Sequence, residues 1–295
     1  PAQLREMVMT PNSPILTVED LRVGFPTPRG TVEAVRGISF AIGRNKVGIV
    51  GESGSGKSMT GRAILKLLPG GATSTVKSMK LGDTDLAELS ENEMLGIRGK
   101  RISMILQDPK YSLNPVIRVG HQIAEAFRVH HRASRAEAEE RALEMLAAVR
   151  IREPRRVFSL YPHEVSGGMG QRIMIAMMLI PEPELIIADE PTSALDVTVR
   201  LQVLAILDDL VTTRGIGLMF ISHDLNLVSS FCDEVLIMYA GRIVERCPAA
   251  ELHRAKHPYT RGLLASLPRL EDGHKRLRVL ERDPSWRDEP IPAET

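Results

Sequence analysis

Gly51-Glu52-Ser53-Gly54-Ser55-Gly56-Lys57-Ser58 follows the apolar run Lys46-Val47-Gly48-Ile49-Val50 and precedes a stretch of helical character over 59–68. G-x-x-x-x-G-K-[ST] between a buried strand and a helix is a phosphate-binding loop. Gly54 and Gly56 let the backbone fold tightly enough to aim successive N–H groups at phosphate oxygens, and the helix opening near Met59 adds its positive N-terminal end. Lys57 is placed to reach the β- and γ-phosphates of a nucleotide. The Ser58 hydroxyl suits Mg²⁺, which keeps several waters and bridges phosphate oxygens. Pro69-Gly70-Gly71 is expected to stop the helix.

Further along, the apolar runs 185–188 and 217–221, with a helical segment over 197–210 between them, read as buried parallel strands. An α/β fold follows. Asp189 and Glu190 close the first of these strands, where an unassisted carboxylate needs a reason. An apolar strand ending in two acids is often no more than strand-end solvation. With a phosphate loop upstream, Asp189 takes the reading of a Mg²⁺ holder through the water shell. Glu190, directed the other way by strand alternation, would polarise the water that attacks the γ-phosphate. Upstream, 15–18, 21–25 and 32–42, with a Pro/Gly turn at 26–30, read as an antiparallel meander. Between about 115 and 171 the chain reads as mostly helical. Leu143, Met145, Leu146 and Val149 mark an amphipathic helix over 133–150.

The 295 residues are 43% hydrophobic and 25% charged, which is globular usage, and at roughly 150 residues per domain they allow one large domain with an insertion. A net charge of +1 leaves no global field to hold nucleic acid or an anionic membrane surface. Cys232 and Cys247 are too few for a disulfide framework or a four-cysteine metal site, which fits a reducing compartment such as the cytosol. A membrane-spanning helix needs roughly 18 apolar residues, whereas the run 173–180 stops at Pro181. The first residues read as a loose leader rather than a secretory signal. Eleven of the twenty residues over 271–290 are charged, so that tail is expected to be mobile or partner-dependent.

Val165-Ser166-Gly167-Gly168-Met169-Gly170-Gln171-Arg172 resembles the LSGGQ-type signature of ATP-binding cassette (ABC) proteins. Ser166 lies 109 residues after Lys57 and 23 before Asp189, a spacing similar to that of compact transporter ATPases. The resemblance implies a P-loop NTPase (RecA-like) core with an antiparallel β-subdomain and an inserted helical subdomain. It also implies that Ser166, Gly167, Gly168, Met169 and Gln171 face the γ-phosphate of ATP held by a second ATPase subunit, again through backbone N–H groups and a helix N-terminus. Alone, the Ser-Gly-Gly would read as a flexible turn. Ile105-Leu106-Gln107-Asp108-Pro109 resembles the Q-loop, with Gln107 sensing Mg²⁺ and the attacking water. Ser193-Ala194-Leu195-Asp196 resembles the D-loop at the dimer interface. Ile221-Ser222-His223-Asp224 resembles the switch whose His223 reaches the γ-phosphate; by itself His223 reads as a strand-end residue. Phe25 stands where the family stacks an aromatic on adenine, although its bare reading is meander core.

Two further tracts are similar to the oligopeptide, dipeptide and related importer ATPases: Gln107-Asp108-Pro109-Lys110-Tyr111-Ser112-Leu113-Asn114-Pro115 and His257-Pro258-Tyr259-Thr260-Arg261-Gly262-Leu263-Leu264. Read bottom-up they are only a turn with a buried aromatic and a helix entered through proline. The resemblance implies an ATPase domain over 15–267 with its helical subdomain near 110–171, and a C-terminal extension over 246–295. It further implies a paired ATPase subunit (a second copy or a paralogue), two transmembrane permease subunits, a solute-binding protein acting through them, and a peripheral place on the cytoplasmic face of the plasma membrane. The turn at 111–115 is expected to dock a permease loop. The solute is not written here: dipeptides, oligopeptides, nickel chelates, opines and murein peptides all remain open. Gly170 stands where these importers carry Arg, and the turn over 41–46 is one residue short, with a local loop change expected. Nothing after Cys247 is cysteine, so the iron–sulfur ligand set of some relatives is not expected. A soluble ABC ATPase of DNA repair or translation is the rival class. Its members carry long inserts or two cassettes, whereas this chain carries one compact cassette. A non-hydrolysing regulatory module would need a broken Lys57, Glu190 or His223.

Overall fold

The apolar runs flanking the phosphate loop become neighbouring strands of one sheet. The computed structural model describes residues 14–108, 112–267 and 283–287. In chain order the elements are β1 (Leu16–Thr27), β2 (Gly30–Ile42), β3 (Lys46–Val50), α1 (Lys57–Ile64), β4 (Thr73–Thr75), β5 (Ser78–Leu81), β6 (Thr84–Asp85), α2 (Glu91–Met94), β7 (Ile102–Ile105), α3 (Val119–His130), α4 (Arg135–Ala148), α5 (Pro154–Phe158), α6 (Gly167–Leu179), β8 (Leu185–Asp189), α7 (Val197–Arg214), β9 (Gly217–Ser222), α8 (Leu225–Phe231), β10 (Glu234–Tyr239), β11 (Arg242–Pro248) and α9 (Pro258–Ala265).

The larger sheet runs β11-β10-β3-β9-β8-β7. From β10 to β7 it is parallel, and β11 returns antiparallel to β10. Its strands are continuous apolar runs because both faces are covered. Val50, Ile186, Ala188, Leu218, Phe220 and Ile237 face a core shared with α3, α4, α6 and α7. Alternate residues Val47, Ile49, Leu185, Ile187, Met219 and Ile221 face a second core shared with β1, β2, β5 and α1. Full burial of one such side chain stabilises by about 1.5–3 kcal/mol.

The antiparallel sheet has the order β2-β1-β5-β6, with β4 also paired to β1. The N-terminal β-pair is therefore present, but the sequential meander is not: β5, arriving after α1, takes the other side of β1. Strands run into the expected 26–30 turn, leaving Pro28 and Arg29 between the paired Thr27 and Gly30. The short turn between β2 and β3 is closed by Asn45, whose Oδ1 accepts from Gly43 N–H at 3.0 Å.

The helix after the phosphate loop begins at Lys57 and ends at Ile64, earlier than the expected 59–68. Lys66 adopts φ 51°, and the Lys66 and Leu67 amides donate back to Ala63 O (3.0 Å) and Arg62 O (2.8 Å). This is a Schellman ending. The Lys66 ammonium holds the conformation by donating to Ala87 O (3.0 Å) and Leu89 O (2.6 Å). The helical layer packs α3 on α4, and α6 on α3, α4 and α7. α6 carries most of the run 173–180, with Ile173, Met174, Ile175, Ala176 and Leu179 buried and Met177 and Met178 half-buried. Among the described residues no helix is long and apolar enough to cross a membrane. Cys232 and Cys247 are free thiols, pushed by burial up to about 12 and about 11 respectively. Pro109, Lys110, Tyr111 and most of the charged stretch over 271–290 lie outside the described residues.

Candidate nucleotide site

Parallel register brings the motifs together. Val50 pairs with Ser222, Ile221 with Asp189, and Ala188 with Ile105. Gly51, His223, Glu190 and Gln107 therefore all emerge from the carboxyl ends of adjacent strands, the edge at which open α/β sheets bind ligands. A cleft of about 600 Å³ opens there, lined by Gly51, Glu52, Ser53, Glu190, His223 and Leu263 among others. Clefts of about 610 and 680 Å³ also open in the helical layer, lined mainly by arginines, glutamates and apolar side chains, the larger one reaching Met169. Volume alone does not select the site; the converging amides, ammonium and carboxylates do.

Gly54 (φ 82°) and Gly56 (φ 104°) adopt the left-handed backbone that lets the loop turn into α1. A Cβ at Gly56 would meet Ala34 O at 2.4 Å, so the residue is fixed by contact as well as by φ. The first turn of α1 leaves amide N–H groups with no intrahelical acceptor, as every helix does. The loop is tied down from outside: Ser55 O accepts from Gly241 N–H at 3.0 Å. The Ser55 hydroxyl is buried with no hydrogen-bond partner, an orphan polar group in a loop built for an anion. Met59 is half-buried behind the loop.

Lys57 folds back on its own loop, donating to Gly51 O (2.7 Å) and Glu52 O (2.8 Å). Burial pushes its ammonium below the ordinary lysine range, against the opposing pull of Glu190, Asp189 and Glu52. The Ser58 hydroxyl donates to Asp189 Oδ1 at 2.8 Å. Burial raises the Asp189 carboxyl, offset in part by that hydrogen bond. A hydroxyl and a buried carboxylate in contact are hard oxygen donors of the kind Mg²⁺ takes, so the residues present fit that ion.

Glu190 is not part of the strand. It follows β8 with φ 47°, and its N–H donates to Ile221 O at 2.9 Å. A left-handed backbone, rather than strand alternation, sets the direction of its side chain. Glu190 Oε1 lies 3.1 Å from Nδ1 of His223, which is 61% exposed. Gln107 is exposed, two residues past the end of β7.

The other motif residues double as helix caps. Ser166 caps α6, its Oγ accepting from Met169 N–H at 3.4 Å, and leaves Gly167 exposed and Gly168 half-buried at the open end. Gly170 and Gln171 lie buried behind them. Asp196 caps α7 (Val199 N–H, 3.0 Å), and the preceding D-loop is tightened by Ser193 Oγ donating to Glu190 O at 3.2 Å. Ala194 is exposed and Leu195 half-buried. Asp224 caps α8 (Leu227 N–H, 3.1 Å), which fixes the residue next to His223. Phe25 is half-buried against the core shared with the antiparallel sheet. One contact had no sequence signal: the Tyr259 hydroxyl accepts from Glu52 N–H at 3.1 Å, 207 residues away.

Fold and site define a cassette-type P-loop ATPase. The chain belongs to the ABC transporter family, whose sequence profile matches residues 35–193. It is 51% identical to the "Probable peptide ABC transporter ATP-binding protein y4tR" of Sinorhizobium fredii, across 86% of this chain and 77% of that protein. It is 46% identical to the oligopeptide transport ATP-binding protein OppD of Bacillus subtilis (92% and 76% covered) and 44% identical to the dipeptide transport ATP-binding protein DppD of the same organism (92% and 81%). In three dimensions it is similar to the dimeric ATP-binding cassette MJ0796 in a post-hydrolysis state bound to ADP and Pi. The TM-score is 0.70 at 24% identity, with 79% of this chain and 98% of that one covered, a likeness of fold.

Proposed function

We propose that this chain binds and hydrolyses Mg-ATP to energise uptake of peptides or peptide-like solutes through partner permease subunits. The observation that carries the reading is the meeting of the phosphate loop, Asp189 and the Glu190–His223 pair at one sheet edge. The 44–51% identity to peptide-transport ATP-binding proteins supports the solute class.

Lys57, released from the loop carbonyls, reaches the β- and γ-phosphates, and the loop amides over 51–59 surround them. Ser58 and Asp189 would hold Mg²⁺, which would supply neutralisation of the phosphate charge. Glu190 takes a proton from the attacking water, His223 contacts the γ-phosphate from the neighbouring strand, and Gln107 reports the occupied site to the helical layer. Phe25 stacks on adenine. Ser166, Gly167, Gly168, Met169 and Gln171 close over ATP on a paired ATPase subunit, with 193–196 lying across that interface. The functional division follows: an ATPase domain over 15–267, a helical subdomain near 110–171 that meets the permeases, and a C-terminal extension over 246–295. The complex includes two permease subunits and a solute-binding protein, with this chain peripheral on the cytoplasmic face.

The test is uptake of labelled di- and oligopeptides by proteoliposomes carrying the permeases and this chain. ATP-dependent uptake that disappears with Lys57→Ala supports the reading. ATP hydrolysis without peptide uptake, in complexes of normal composition, overturns the solute class.

A further inference from the structure

The tract beginning at His257 builds a contact that the nucleotide chemistry above does not use. His257 Nδ1 accepts from Tyr259 N–H at 3.1 Å and caps α9, turning Tyr259 inward until it is fully buried. The Tyr259 hydroxyl then sits 3.1 Å from the Glu52 amide, inside the phosphate loop. On the other side of that residue, Glu52 O accepts from Lys57 Nζ at 2.8 Å. One turn further along α9, Leu263 lines the cleft beside Gly51 and Ser53.

The ring of Tyr259 is held as firmly as its hydroxyl. It packs against Tyr239 with centroids 4.4 Å apart, and Tyr239 ends the strand whose following turn supplies the Gly241 amide to Ser55 O. Trp286 closes the group edge-on, 6.3 Å from Tyr239, 6.3 Å from His257 and 6.4 Å from Tyr259. It is the single tryptophan of the chain.

We propose that Tyr259 is a positioning residue for ATP: its hydroxyl fixes the Glu52 peptide, and through it the loop register from which Lys57 and the phosphate-facing amides act. The aromatic group of Tyr239, His257, Tyr259 and Trp286 is then the outer wall of the nucleotide site rather than a separate appendage. This rests on the reading that the loop holds ATP. A half-buried amide stripped of this acceptor favours loop conformations that find another partner, and the ATP-competent register becomes less populated.

The test is Tyr259→Phe in the full chain, which keeps the ring and removes the acceptor. Loss of one net hydrogen bond raises KM for ATP roughly two- to tenfold, with kcat held within about twofold. A merely structural role would lower the active fraction, and so kcat, without moving KM. Trp286 emission supplies the second readout: it changes on ATP binding in the wild-type chain, and its titration midpoint in Tyr259→Phe moves with KM. An unchanged KM in Tyr259→Phe, or Trp286 emission that ignores ATP in wild-type protein that binds it, overturns the proposal. Wild-type protein that neither binds nor hydrolyses ATP fails the functional reading instead.

Discussion

His223 Nδ1 lies 3.1 Å from Glu190 Oε1, each residue having just left one of two neighbouring parallel strands. The Glu190 amide is tied to Ile221 O, two residues before His223, so a backbone bond and a side-chain contact both hold Glu190 to the end of the neighbouring strand. We propose that Glu190 and His223 act as one unit in hydrolysis.

That unit is tested by hydrolysis rates. Glu190→Gln is expected to keep ATP binding while cutting turnover by roughly 10² to 10⁴, the span of a lost general base. His223→Ala lowers turnover too. The double variant is expected to lose little beyond the worse single one, because groups acting together are not additive. Multiplicative losses would separate their roles.

Asp189→Asn retains an oxygen for the Ser58 hydroxyl but removes the charge. The Mg²⁺ concentration for half-maximal ATPase activity is expected to rise roughly 10- to 100-fold, as when groups around a metal site are lost, with the unfolding temperature little changed. Chelation of Mg²⁺ stops hydrolysis in both proteins. An unaltered Mg²⁺ titration would move the ion away from Asp189.

Shared sites are tested by mixing. A Lys57→Ala chain and a Ser166→Arg chain, each inactive alone, should regain hydrolysis when paired, because the mixed dimer holds one site free of both lesions. Where the natural pair is two different ATPases, the lesions are divided between them. Failure to regain any activity in dimers shown to form would end the trans arrangement.

The turn following Gln107 separates core from surface. Leu113, within the tract expected to meet a permease, is 5% exposed and belongs to the helical core, whereas Val116 is 77% exposed. Asn114 and Ile117 between and beside them are clamped by Gln122, which accepts from Asn114 N–H (2.8 Å) and donates to Asn114 O (2.9 Å) and Ile117 O (2.7 Å). Leu113→Asp should therefore lower the unfolding temperature by several degrees, since even Leu→Ala in a core costs about 2–5 kcal/mol. Val116→Asp should leave stability within about 0.5 kcal/mol and ATP affinity unchanged while reducing reconstituted uptake. Full uptake in Val116→Asp would place the docking surface elsewhere.

Gly51 to Ser58, Asp189, Glu190 and His223 were legible because each motif lies at the end of a continuous apolar run, bounded where its character changes. β4, β6 and β7 were not legible. Thr73–Thr75 is a polar, exposed edge, and Thr84–Asp85 and Ile102–Ile105 are too short to show a period. The early end of α1 depends on Lys66 finding carbonyls at 87 and 89, a tertiary choice that overrides helix propensity. The left-handed turn at Glu190 and the Tyr259–Glu52 bond belong to the assembled chain and leave no local pattern to read.

The strict alternation along the central strands has a genetic consequence. Phe220 and Met219 are adjacent codons, yet one fills the core beneath the signature helix and the other the core beneath the hairpin that carries Phe25. Shortening either leaves a cavity, but on opposite sides of a wall one strand thick. Lesions at Leu218 and Phe220 would disturb the core under the helical layer, and those at Met219 and Ile221 the core under the antiparallel sheet. A mutational scan of β9 would thus read out with a period of two, sorting its phenotypes by which face of the sheet each side chain serves.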